Sequence, residues 1–250
     1  MTFGSLFAGI GGMDLGLERA GMVCKWQVEI DPFCQKILTK HWPEVPKYGD
    51  IKKLDGRELE RVDLICGGFP CQDVSLAGAR RGIGDGTRSG LYVEMLRLVN
   101  LLRPRFVLME NVPGLLVPTS PGESAAIGRV LGDLAESGYD AQWQSLPAST
   151  FGAYHERDRV FIVAYSDGHH DFMPKREANF GEIRFYLTKW DSWDKHMAGS
   201  DGFQKVDTYT EILRDFHGIP SGMDRLRRLG NAIVPQVAEW IGRRIMERCS

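Results

Sequence analysis

The chain lacks the features that would place it in several large protein classes at once. Its five cysteines (Cys24, Cys34, Cys66, Cys71 and Cys249) are odd in number and scattered, with no CxxC pair and no Cys/His spacing that suits zinc. A disulfide scaffold and a structural zinc site are therefore excluded, and reduced thiols in a cytosol fit best. No apolar run approaches the roughly 20 residues of a membrane helix. The opening residues MTFGSLFAGIGG have neither the basic stretch nor the small-residue cleavage site of a signal peptide. No internal repeat and no low-complexity tract is present. Excess charge is missing too: 31 Lys and Arg stand against 33 Asp and Glu, for a net charge of -2. A nucleic-acid surface, if there is one, must be a local basic face. Two clusters qualify, Arg80, Arg81 and Arg88 in one and Arg225, Arg227 and Arg228 in the other, although arginines on solvated faces are common.

What the chain does have is an alternation of short apolar runs and helix-like stretches. Residues 2–8, 23–30, 62–69, 105–111 and 158–166 read as strands, and 13–21, 32–42, 91–102 and 125–138 as helices. That order predicts an α/β fold on a parallel sheet. From about Asp167 to Gly218 the periodicity fails, and a small irregular subdomain or long loop is expected. A closing amphipathic helix follows RLGNAIVPQ (228–236). In sheets of this kind ligands bind beyond the carboxyl ends of the strands. Gly9 to Gly12, Glu29, Pro70–Cys71 and Glu110 all share that address.

FAGIGG (7–12) reads either as a tight turn that needs glycine or as a nucleotide-binding turn. Gly9 and Gly11 fit the dinucleotide fingerprint, but Asp14 stands where its third glycine belongs. An acid there suits a pyrophosphate badly and is no handicap for a cationic cofactor without phosphates, such as S-adenosylmethionine. Glu29 is placed to accept ribose hydroxyls, or is a surface carboxylate at a strand end. Asp50 could take an adenine amino group. A nucleophilic cysteine needs exposure, a stabilised thiolate and a partner that handles protons on the substrate. Cys71, aimed by Pro70, is the candidate nucleophile, with Glu110 beside it if their strands are neighbours. Cys66 is most simply core. Arg157 and Arg159 would share one face of a strand start, as an anion clamp or as a solvated end.

These residues resemble the C5-cytosine DNA methyltransferase family. The resemblance rests on SLFAGIGG (5–12), VEID (28–31), GDI (49–51), GGFPCQ (67–72), MENV (109–112), HERDRVFIVA (155–164) and RLGNAIVPQ (228–236), which occur in the family's order. It implies a Rossmann-like S-adenosylmethionine-dependent methyltransferase fold with a mostly parallel sheet and a small irregular target-recognition subdomain. Residues 1–166 would form the catalytic and cofactor-binding domain, 167–219 the short recognition segment, and 220–250 the part that completes the catalytic domain. Cys71, Glu110, Arg157 and Arg159 would be catalytic. Phe7, Ala8, Gly9, Ile10, Gly11, Gly12, Glu29, Ile30, Asp50, Ile51, Pro70, Leu91, Asn231 and Ala232 would hold S-adenosylmethionine. Gln72, Ser75, Arg80, Arg81 and Arg88 would meet DNA. No metal is implied.

The resemblance implies methyl transfer to cytosine C5 in double-stranded DNA, through a thiolate adduct and a flipped base, by an intracellular monomer without a membrane. The enzyme would act alone or beside a matching restriction endonuclease. An RNA cytosine methyltransferase and a catalytically weak DNA-binding member are the alternatives; a nicotinamide oxidoreductase is a third, against which stand Asp14 and the thiol it would leave unexplained. Three departures stand out: Ser5 where the family often has an acid, Ile30 where an aromatic often lies, and His155 in place of the usual glutamine. The segment 167–219 is also short for a target reader, and a plug closing the cleft is its other reading.

Overall fold

The computed structural model describes residues 1–69, 90–118, 125–153, 156–166 and 233–249. Pro70, Cys71, Gln72, Ser75, Arg80, Arg81, Arg88, His155, Asn231 and Ala232 lie outside the described residues, as does the expected recognition segment 167–219.

Among the described residues, seven strands form one sheet. Strand β1 (Thr2–Leu6) leads to helix α1 (Gly12–Arg19), β2 (Val23–Val28) to α2 (Pro32–His41), and β3 (Lys47–Tyr48) to a 3-10 turn at Ile51–Lys53. Next come β4 (Leu64–Gly68), α3 (Gly90–Leu102), β5 (Phe106–Asn111), α4 (Ala126–Glu136), β6 (Asp140–Pro147), β7 (Asp158–Tyr165) and α5 (Pro235–Cys249). The order across the sheet is β3-β2-β1-β4-β5-β7-β6. The first five strands are mutually parallel, and β7 runs antiparallel to both β5 and β6.

The expected α/β fold on a mostly parallel sheet is thus observed, with two strands, β3 and β6, that the sequence expectation lacks; β3 is only two residues long, too short to show a pattern. β6 (DAQWQSLP) is an edge of the sheet with only one fully buried residue, so it carries no apolar run to betray it. Its existence rests on ladder pairing to β7, a long-range contribution.

The central strands are buried on both faces, and their period of two sorts them between two cores. Ile65, Val107 and Met109 face α3 and α4, packing with Met95, Leu98, Val99, Val130 and Leu134. Leu64, Cys66, Phe106 and Leu108 face α1 and α5, packing with Leu17, Val237, Trp240 and Ile241. Cys66 is fully buried, as its place in the apolar run suggested. Helix α5 lies against α1, so the C-terminal residues complete the layer that the first helix begins.

The chain winds outward from β1 to β3 and then returns to β4 on the other side of β1. That reversal opens a crevice beyond the carboxyl ends of β1 and β4, where the two halves of the winding part.

Candidate active site

A cavity of about 260 Å³ occupies this crevice. Its wall is built from the turn after β1 (Phe7 to Ile10, with Gly12), Glu29 and Asp31 after β2, Gly67 and Gly68 at the end of β4, and Glu110 on β5. Of the residues expected at a cofactor or catalytic site, the fold gathers Phe7, Ala8, Gly9, Ile10, Gly12, Glu29 and Glu110 on this one surface. Gly11, Ile30, Asp50, Ile51 and Leu91 do not line it. Ile30 is exposed at 67%. Ser5, Met13, Asp31, Cys34, Gly67, Gly68 and Ile233 also line the cavity and were not anticipated. Asp31 carried a signal in hindsight, since ID-P reads as an N-cap followed by proline. Its carboxylate indeed accepts from Phe33 N.

The turn owes its shape to left-handed backbone at Phe7 (φ 54°), Gly9 (φ 58°) and Gly11 (φ 85°). Glycine takes that region freely, and Phe7 does so at a cost. Gly9 N donates to Glu29 Oε2 at 2.7 Å and Gly11 N to Ala8 O at 2.9 Å. Glu29 Oε1 accepts from Asp31 N at 2.8 Å, so this one carboxylate ties the first glycine turn to the turn after β2.

A pyrophosphate is held by free N–H groups at the mouth of such a turn, and here two of them are already engaged internally. Among the described residues the cavity wall carries Glu29, Asp31 and Glu110 and no lysine or arginine. The acceptor set among the described residues is therefore matched to a cationic ligand with hydroxyls to donate. That fits S-adenosylmethionine, whose sulfonium and ammonium are positive, better than a pyrophosphate.

The structure corrects the reading of Asp14 as an acid that would meet a bound phosphate. Its side chain does not enter the cavity. It is fully buried beneath the turn, accepting from Ser5 Oγ at 3.0 Å and from Gln27 Nε2 at 2.7 Å. Burial raises the carboxyl from its ordinary 3.8 to about 6, against the opposing pull of the Gln27 and Ser5 hydrogen bonds. The missing acid at position 5 is thus supplied from the first turn of α1. Ser5 and Asp14 form a hydrogen-bonded pair in which the carboxylate has changed sides.

Strands β4 and β5 are neighbours, with Gly68 opposite Glu110. Glu110 is buried, and desolvation raises its pKa, opposed by the charges of Arg159 and Arg157. Arg159 Nε lies 2.8 Å from Glu110 Oε1. The two arginines do converge on Glu110, but not as alternate residues of a strand. β7 begins at Asp158, and Arg157 precedes it with φ 28°. The irregular turn is tied down by Ala148 N, which donates to Glu156 O and Arg157 O.

Asn111 went unremarked in the sequence. Buried at the end of β5, its Nδ2 donates to Phe69 O at 2.9 Å, and its Oδ1 accepts from Val112 N. It therefore holds the backbone of the residue immediately before Pro70–Cys71.

The fold and crevice define a doubly wound α/β protein with an acidic ligand cavity at its switch point. The model of the C-5 cytosine-specific DNA methylase family matches residues 1–200, and the chain belongs to that family. It is 38% identical over 164 residues to the Type II methyltransferase M2.BsuMI of Bacillus subtilis, covering 64% of this chain and 41% of that protein. It is 31% identical over 215 residues to the Type II methyltransferase M.MspI of Moraxella, covering 84% of this chain and 50% of that protein. The chain thus spans about half, or less, of the length of these curated relatives. A solved structure of a prophage-encoded DNA modification methyltransferase from E. coli superimposes with a TM-score of 0.67 at 21% identity. That comparison covers 100% of this chain and 99% of the other, and shows a shared fold.

Proposed function

We propose that this chain transfers the methyl group of S-adenosylmethionine to C5 of cytosine in double-stranded DNA. The observation that carries the reading is the position of Glu110. A buried carboxyl with a raised pKa, paired to Arg159, opens onto the same cavity as the glycine turn and Glu29. It stands one strand away from the glycines that lead into Pro70–Cys71.

Phe7, Gly9 to Gly12 and Glu29 would hold the cofactor, with Asp50, Ile51, Leu91, Asn231 and Ala232 completing its surroundings. When bound, S-adenosylmethionine supplies an electrophilic methyl group to C5. Cytosine must leave the duplex stack before a thiol can reach it. The Cys71 thiolate adds to C6, and the electron pair of the C5–C6 bond moves toward C5. Glu110 donates a hydrogen bond or its proton to N3, which stabilises the charge that moves into the ring. Arg159 and Arg157 hold the carboxyl in place and meet the flipped nucleotide. After the methyl group is on C5, a water molecule or hydroxide takes the C5 proton, the freed electron pair re-forms the C5–C6 double bond and expels Cys71 as thiolate, and N3 returns its proton to Glu110. Atoms balance: the adduct's C6–S bond breaks as the ring double bond re-forms.

Residues 167–219 would read or position the DNA, and Gln72, Ser75, Arg80, Arg81 and Arg88 would contact it. The packing of α5 against α1 supports residues 220–250 as part of the catalytic domain. Two relatives named Type II methyltransferases support a role in DNA modification, alone or beside a matching endonuclease.

The test is incubation with labelled S-adenosylmethionine and mixed-sequence duplex DNA, followed by base-resolution mapping of 5-methylcytosine. Label at C5 in one sequence context, absent with Cys71→Ser, is the expected result. Label on transfer or ribosomal RNA and none on DNA would overturn the substrate. A folded protein that binds the cofactor and labels neither would overturn the activity.

A further inference from the structure

The turn that carries Asp50 has little support of its own. β3, which precedes it, contributes two residues of ladder, and only the 3-10 turn at Ile51–Lys53 follows before β4. Asp50 Oδ1 caps that turn by accepting from Lys52 N. At the other end of the turn Ile51 O accepts from Leu54 N at 3.3 Å, and no helix follows before β4.

Arg97, midway along α3, supplies what is missing. Its Nη2 donates to Leu54 O at 2.7 Å and lies 3.4 Å from Ile51 O, while Nη1 donates to Asp55 O at 2.9 Å. Its Nε donates to Glu94 Oε2 at 2.6 Å, which fixes the plane of the guanidinium. A planar fork with five N–H donors can serve several carbonyls at once, and its charge is favourable at the carboxyl end of a helical turn. Below it, Leu98 and Leu101 of α3 pack so closely under Gly56 that a Cβ there would come within 2.6 Å of Leu98 Cδ2. The same helix starts directly after the segment containing Cys71, and Leu91 lies in its first turn.

We propose that Arg97 is a positioning residue for the nucleoside end of the cofactor site, clamping the Asp50–Asp55 turn onto α3. The proposal rests on the reading that Asp50 and Ile51 flank the adenine. Arg97 itself does not line the cavity. It determines where the Asp50 carboxylate and the Ile51 side chain stand relative to Glu29, to which the preceding segment is joined by Glu29 N donating to Tyr48 O.

The test is calorimetric titration of the full chain with S-adenosylmethionine and, separately, with methylthioadenosine, which keeps the nucleoside and lacks the amino acid end. Arg97→Met, Arg97→Lys and Asp50→Ala are compared with the unaltered protein well below its melting temperature. Arg97→Met is expected to weaken both ligands about tenfold, to raise KM for the cofactor by a similar factor, and to leave kcat within about twofold. Arg97→Lys, a point charge that cannot span three carbonyls, is expected to recover only part of the loss. A merely structural role would lower the melting temperature of Arg97→Met and leave both dissociation constants unchanged, and that result overturns the proposal. If Arg97→Met does not fold, an unaltered dissociation constant for Arg97→Lys overturns it equally. Asp50→Ala separates the two levels of the argument. Unchanged affinity there removes the adenine reading, whereas weakened affinity there with normal affinity in the Arg97 variants removes this inference alone.

Discussion

The Glu110 carboxylate lies directly over the α-carbon of Gly68, its partner on the neighbouring strand. A Cβ built on Gly68 would come within 2.7 Å of Glu110 Oε2. The carboxyl that faces the cavity is therefore held between Arg159 on one side and a hydrogen atom on the other.

Gly68→Ala should consequently push Glu110 out of register with its arginine. A displacement of this kind near the reacting atoms costs about a hundredfold in rate. The expected outcome is a fall in kcat of that order, with DNA and cofactor affinity nearly retained, measured by single-turnover methylation. A rate within a few fold of the unaltered protein would mean that Glu110 need not stand where it does.

Arg159 opposes the burial that raises the Glu110 pKa. Removing its charge in Arg159→Met lets desolvation push that pKa further up. The protonated form, which donates to N3 in the proposed reaction, then persists to higher pH. The limb of the rate profile that falls as pH rises should shift in the alkaline direction, even as the rate itself drops. Glu110→Gln should abolish the limb and slow the step by about 10²- to 10⁴-fold. A limb unmoved by either change would assign it to another group.

Asp14 binds its proton more tightly when folded, at about 6 against an ordinary 3.8. The protonated folded form is favoured at low pH, so this stabilisation is present below about 3.8 and lost as pH rises through about 6. The loss at pH 7 is on the order of 3 kcal/mol. Asp14→Asn cannot ionise, and its amide can serve Gln27 and a rotated Ser5 hydroxyl. Urea unfolding of the two proteins across pH 4 to 7 should show their stability difference growing in favour of the variant. A difference that stays flat would show that Asp14 titrates normally.

Asn111→Ala removes the donor to Phe69 O and leaves that carbonyl unsatisfied in a buried setting. A cost of about 1–3 kcal/mol is expected, read as a lower urea midpoint. The rate of cysteine-adduct formation on a 5-fluorocytosine duplex should fall as well, because the chain just before Cys71 loses its anchor. Unaltered adduct formation at a reduced midpoint would confine Asn111 to stability.

Much of the architecture could be read from local pattern. The glycine turn, the strand that ends at Glu110 and the apolar run holding Cys66 are short-range signals. Periodicity and turn chemistry act within a few residues, and each of these segments obeys them. Edge strand β6 escaped because a half-exposed strand need not be apolar. Arg157 escaped a correct placement because alternate numbering implies a common face only inside a strand, and the strand begins one residue later.

The sequence by itself determined five of the seven strands and the helices between them, the acid and glycines at the strand ends, and a resemblance specific enough to name the family. Only the tertiary structure decided which side of the glycine turn Asp14 occupies, since helix packing and not spacing sends its carboxylate under the turn to Ser5 and Gln27. It likewise decided that Gly68 yields space to Glu110 and that Arg97 anchors a turn more than 40 residues earlier in the chain. Those relations are contacts between segments distant in sequence. They exist only once the sheet's strand order has brought the segments together, and no local preference encodes them.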